Sequence, residues 1–179
     1  MLSNVANGTN IAPTSNLKKT TLTLNNVKPG DQVVIKDLNG IVLYKEEIKN
    51  SGTYSKGFDL SSLPTGSYVF EFEKDFEIKL YPFSVNTNEV IFDKGNETVF
   101  YKPYLTSKEN CIYLNKLSLN NEPLDVKIYY ADGGKLIFSE KIENTKSIQK
   151  AYKISAYEKG DYKIVLTSNG REYYEYVTL

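Results

Sequence analysis

Histidine and tryptophan are absent from this chain, and cysteine occurs once. Without histidine the commonest general base near neutral pH is missing, which removes Ser-His-Asp, Cys-His and histidine-based metal chemistry together. The lone Cys111 can neither close an intramolecular disulfide nor complete a structural zinc site; within Asn110-Cys111-Ile112-Tyr113 it reads as an inert, buried thiol on a strand. No run approaches the roughly 20 apolar residues that a membrane-crossing helix needs. Excess charge is lacking as well. The 22 basic and 22 acidic residues balance, so no long-range field gathers nucleic acid or an anionic membrane. Lys56-Gly57 and Gly133-Gly134-Lys135 lack the spacing by which backbone amides cradle a phosphate.

What the chain has in quantity is aromatic and β-forming residues, with 15 Tyr and 8 Phe among 179 residues. A hydrophobic share of 40% with 25% charged residues predicts a packed core, and the aromatic bias predicts strands, where such side chains fit a pleated surface. Residues 1–16 are set apart by small and polar residues and by Pro13, and they read as a flexible leader. Its first six residues fit either the tail of an export signal or an ordinary start. Asn7-Gly8-Thr9 and Asn96-Glu97-Thr98 match the glycosylation acceptor pattern, which matters only in a compartment with that machinery.

Three anchors repeat at a shift of about 94 residues. Leu22-Thr23-Leu24-Asn25-Asn26 returns as Leu117-Ser118-Leu119-Asn120-Asn121. Val33-Val34-Ile35 with Asn39-Gly40 returns as Val126-Lys127-Ile128 with Asp132-Gly133, and Gly66-Ser67-Tyr68 returns as Gly160-Asp161-Tyr162. Within both copies the pattern has period two. Tyr68, Phe70 and Phe72 alternate with Glu71 and Glu73, just as Tyr162, Ile164 and Leu166 alternate with Lys163 and Thr167, so each segment is a strand with one dry and one wet face. Asn39-Gly40 and Asp132-Gly133 are hairpin turns by composition. A calcium loop around Asp37 or Asp132 would need more oxygen ligands than these segments offer. Ser147 to Tyr157 is the nearest approach to a helix, but its first-copy counterpart reads as strand and turn.

The fold expected is all-β, two tandem immunoglobulin-like β-sandwich modules at 17–86 and 87–179, with Asn86-Thr87-Asn88-Glu89 as a short connector. Gly66 with Tyr68, and Gly160 with Tyr162, mark a structural corner at the entry of a late strand, where a tyrosine hydroxyl bonds back to the backbone. Two residues further on stand Phe70 and Ile164, an apolar pair where antibody domains carry a disulfide cysteine.

For function, no catalytic, metal or cofactor-binding residue stands out. Glu71 with Glu73, and Glu46 with Glu47, read as solvated faces and not as a catalytic carboxylate pair. Tyr173, Tyr174 and Tyr176 are the one possible ligand platform, of the kind that stacks on sugars, although Tyr173 falls on the opposite strand face from the other two.

Val34-Ile35-Lys36-Asp37-Leu38-Asn39-Gly40-Ile41-Val42-Leu43-Tyr44, followed by Phe58-Asp59-Leu60-Ser61-Ser62-Leu63-Pro64-Thr65-Gly66-Ser67-Tyr68-Val69, resembles the C-terminal sorting domain of type IX secretion cargo. The resemblance spans roughly Thr20 to Val85 and carries more weakly to Leu117 through Leu179. It implies a small β-sandwich without catalytic residues, borne by exported or surface-attached bacterial proteins. The expected function is therefore that of a non-catalytic structural or protein-interaction module at the cell envelope, with a carbohydrate-binding module or a secretion sorting element as alternatives. A protein or glycan partner and an extracytoplasmic location are expected.

Overall fold

The computed structural model describes residues 10–13, 20–87, 89–93, 95–154 and 159–178. The chain divides into two compact units, Met1–Val99 and Phe100–Leu179. The first contains β1 (Asn10–Pro13), β2 (Thr20–Val27), β3 (Gln32–Asp37), β4 (Val42–Glu47), β5 (Gly52–Phe58), β6 (Gly66–Glu73), β7 (Glu77–Val85) and β8 (Val90–Phe92). The division falls within β9 (Thr98–Tyr101). The second unit contains β10 (Tyr104–Lys108), β11 (Cys111–Leu117), β12 (Leu124–Tyr130), β13 (Leu136–Ile142), β14 (Ser147–Lys153), β15 (Asp161–Ser168) and β16 (Arg171–Thr178). Among the described residues no helix is long and apolar enough to cross a membrane.

In the first unit β1-β2-β5 form one antiparallel sheet and β4-β3-β6-β7-β8 run in order through another. In the second, β10-β11-β14 form one sheet and β13-β12-β15-β16 the other. Strand for strand, the order β1-β2-β5 with β4-β3-β6-β7 matches β10-β11-β14 with β13-β12-β15-β16. The registers correspond too. Ile35 sits opposite Phe70 and Val33 opposite Phe72, as Ile128 sits opposite Ile164 and Val126 opposite Leu166.

Each unit has its own core, built where alternate side chains of the two sheets meet. In the first, Leu22, Leu24 and Phe58 from one sheet pack with Val33, Ile35, Phe70, Phe72 and Phe83 from the other. Phe70 lies 5.3 Å from the Phe58 ring and 5.1 Å from that of Phe83. In the second, Ile112, Leu114 and Ile148 meet Val126, Ile128, Tyr162, Ile164 and Leu166. Phe70 and Ile164 thus occupy the centres of their respective cores, each 1% exposed, and burial of a side chain of either size contributes about 1.5–3 kcal/mol.

Four expectations meet a different arrangement. Residues 10–13 of the leader form β1, at the sheet edge and antiparallel to β2 with Ile11 opposite Leu22, while 1–9 and 14–16, with the Asn7 acceptor, lie outside the described residues. Asn86–Glu89, read as a connector, is the turn between β7 and β8, closed by the Asn86 N–H donating to the Glu89 carbonyl at 2.9 Å, with Asn88 outside the described residues. Leu117 and Leu119 do not repeat Leu22 and Leu24, because they are 45% and 48% exposed while Ile112 and Leu114 point inward. The turn after β12 is longer than a two-residue hairpin loop. Asp132–Gly134 form a turn kinked at Gly133, which sits at φ +80°.

Glycine matters most at Gly160. The Tyr130 hydroxyl and ring lie against it so closely that a Cβ there would meet Tyr130 Cζ at 2.9 Å, whereas a Cβ on Gly66 would stand 3.5 Å from the Tyr68 hydroxyl, an ordinary contact. Gly160→Ala is therefore expected to cost about 1–3 kcal/mol in urea unfolding, and Gly66→Ala no more than about 0.5 kcal/mol. Equal costs at the two positions would contradict this reading of the corner.

Candidate functional site

The carboxylates are the first place to look for chemistry, and Glu71 and Glu46, one from each pair weighed above, are engaged by neighbours. Glu71 is buried, 5% exposed, and its carboxylate receives Lys36 Nζ at 2.8 Å. It is not on a solvated face, as the alternation alone implied. Glu46, on the edge strand β4, reaches across the open flank of the first unit to β5 in the other sheet. Its Oε2 accepts Lys56 Nζ at 2.7 Å and the Tyr54 hydroxyl at 2.8 Å, and the Tyr44 hydroxyl donates to it as well. Lys56 also lies 5.1 Å from the centre of the Tyr44 ring.

The second unit repeats the device. Glu140 on β13 accepts Lys150 Nζ at 2.7 Å and the Tyr152 hydroxyl at 3.0 Å from β14. Glu46 and Lys56 stand at the same offset from Glu140 and Lys150 as the repeat itself, about 94 residues. The tyrosines do not, since Tyr54 and Tyr152 approach from different positions on their strands.

The electrostatic consequence follows from the contacts. Lys56, then Tyr44, stabilise ionised Glu46 and lower its pKa from 4.5 to about 2. Hydrogen bonding to Glu46, then to Tyr44, raises Lys56. Burial, then the Glu46 carboxylate, pushes the Tyr54 phenol well up, and Lys150 lowers Glu140 in the same way. A carboxylate held ionised with its lone pairs occupied is poorly suited to move protons near pH 7. These clusters act as inter-sheet clasps.

At the first corner the Tyr68 hydroxyl donates to the Pro64 carbonyl at 2.7 Å. In the second unit the Tyr130 hydroxyl donates to the Lys159 carbonyl at 3.1 Å. Tyr162 is fully buried and meets the Tyr130 ring edge-on at 5.4 Å. Asp37, weighed above as a cation ligand, instead accepts the N–H groups of Asn39 at 2.9 Å and Ile41 at 2.8 Å and so ties the hairpin turn. Cys111 is half-buried on β11.

The terminal tyrosines separate by strand face. Tyr173, opposite Leu166, packs against the second core, while Tyr174 and Tyr176 are 51% and 66% exposed on the outer face. There the register sets Tyr129 opposite Lys163 and Lys163 opposite Tyr176. Lys163 Nζ lies 4.8 Å from the centre of the Tyr174 ring, and the Tyr174 hydroxyl donates to Glu172. Tyr129 and Lys163 escape a reading confined to the tyrosine cluster, because only strand pairing brings them to it.

Residues 10–81 match the family model of the secretion system C-terminal sorting domain, which is less than half of the chain. No curated protein matches. Among solved structures, a biofilm-associated protein BSP domain aligns at 12% identity and a TM-score of 0.32, covering 93% of this chain and 28% of that one. This chain therefore spans under a third of its length. The human OSCAR ligand-binding domain aligns at 10% identity and a TM-score of 0.29, covering 90% of this chain and 89% of that one.

The clasp has a pH signature. Because the folded-state pKa of Glu46 is depressed, its contribution is complete above pH 4.5 and is lost as pH falls through about 2. Glu46→Gln is therefore expected to be less stable than the parent chain near neutral pH, with the gap narrowing steadily between pH 4.5 and 2. Urea midpoints measured across that window check it, and a gap that stays constant contradicts the assignment.

Proposed function

We propose that this chain is an exported, non-catalytic protein made of two copies of one immunoglobulin-like sandwich, serving as a structural or protein-interaction module at the bacterial cell envelope. The observation that carries the proposal is the match of residues 10–81 to the sorting-domain model, since domains of that kind travel with exported proteins. The shared strand order of the two units supports duplication of a single module. Their unlike core side chains on a like register point the same way, as substitution under a preserved inside-outside pattern leaves packing intact.

The non-catalytic reading rests on the side chains. With no histidine in the sequence, carboxylates are the natural acid-base candidates, and Glu46, Glu71 and Glu140 are each tied to a lysine. This reading places function on the surface, in sheet edges, hairpin tips and an aromatic face. The extracytoplasmic location follows from the sorting-domain match and from no other feature.

The test is export. The full chain, placed behind a cleavable export signal, is expressed in paired bacterial strains with and without a working type IX system. The proposal predicts that protease added to intact cells, or the culture medium, finds the protein beyond the outer membrane in the competent strain, while the deficient strain retains it in the periplasm. Equal distribution in the two strains would remove the type IX reading, and retention in the cytoplasm of both would remove the envelope reading with it.

A further inference from the structure

The outer face of the β12-β15-β16 sheet carries a shallow depression of ≈ 450 Å³ with Tyr129, Lys163, Glu172, Tyr174 and Tyr176 among its lining residues. We infer that this depression binds a neutral oligosaccharide, with the three tyrosine rings as stacking platforms and Lys163 and Glu172 as partners for sugar hydroxyls.

The fold does not require these rings. At the matching register positions the first unit has Lys36 for Tyr129, Leu80 for Tyr174 and Pro82 for Tyr176, and its sheet forms nonetheless. Tyr174 and Tyr176 also contribute little to the second core, being more than half exposed, so packing leaves their aromatic character unexplained. They are nevertheless positioned. The Tyr174 hydroxyl is held by Glu172, Lys163 lies over the Tyr174 ring at 4.8 Å, and β15 is paired on both sides along its length. A rigid face that holds several rings ready pays little ordering entropy on binding.

The chemistry selects the ligand class. Apolar C–H faces of sugar rings stack on tyrosine, and their hydroxyls can both accept from an ammonium and donate to a carboxylate. One cation beside one anion leaves the depression close to neutral. A polyphosphate backbone, which calls for several cations, fits it poorly.

Isothermal titration of the full chain against cello-, xylo-, manno- and chito-oligosaccharides, with oligogalacturonate as a charged comparison, tests the inference. At least one neutral series is expected to bind with a Kd of roughly 1 mM or tighter. Tyr129→Ala and Tyr176→Ala should each weaken it at least about tenfold, while Leu80→Ala on the matching face of the first unit leaves it unchanged. If Tyr129→Ala fails to fold, Tyr176→Ala at its exposed position decides alone. No binding to any neutral series, binding confined to oligogalacturonate, or an unchanged Kd in Tyr176→Ala would overturn the site. The outcome is separable from export, because sugar binding without type IX dependence, or the reverse, removes one reading and leaves the other.

Discussion

Two sheets can share a dry interface only if every strand turns alternate side chains toward the opposite sheet, and that alternation governs both units. It places Leu22 and Leu24 against Val33, Ile35 and Phe70 in the first and Ile112 and Leu114 against Val126, Ile128 and Ile164 in the second. Because one residue of slippage would expose a whole row, the registers are strongly specified. The side chains filling them are free to vary. An aromatic cluster around Phe70, Phe83 and Phe58 gives way to an aliphatic one around Ile164 and Leu166, with the backbone ladder in the same order.

Closing the flank of such a sandwich poses a separate problem, since β4 and β13 are sheet ends whose polar side chains border the core. In both units a glutamate on that end strand bonds a lysine and a tyrosine on the neighbouring sheet. The pairs are partly exposed, Lys56 at 40% and Glu46 at 35%, so solvent screens their attraction and their worth as isolated ion pairs is small. Their value is directional. Each joins one edge strand to a particular strand of the other sheet, β4 to β5 and β13 to β14.

Period-two alternation made the strands, the central residues Tyr68, Phe70, Tyr162 and Ile164, and the Asn39-Gly40 turn legible in the sequence, because these depend on neighbours a few residues apart. The first anchor of the repeat misled for a physical reason. The last inward positions here are Lys116 on β11 and Ser118 just past its end, where the Lys116 ammonium donates to the Ser118 hydroxyl at 2.7 Å, while the eye-catching Leu117 and Leu119 face out. The boundary near residue 86 was illegible because a polar hairpin turn and a polar linker have the same composition. At the candidate sites, Glu46 read as part of a solvated face and Lys56 only as a residue without phosphate-loop spacing. Their recurrence at the repeat offset was the available signal. Tyr129 and Lys163 carried none, since they join Tyr174 and Tyr176 only through the pairing of three strands.

Each unit rests on its own core. Amide hydrogen exchange on the full chain, compared with Phe70→Ala, tests it directly, because protection reports the local free energy of opening. This change is expected to strip protection from β2, β3, β6 and β7 while β11, β12, β14 and β15 keep theirs. Equal loss across both sets of strands would contradict it.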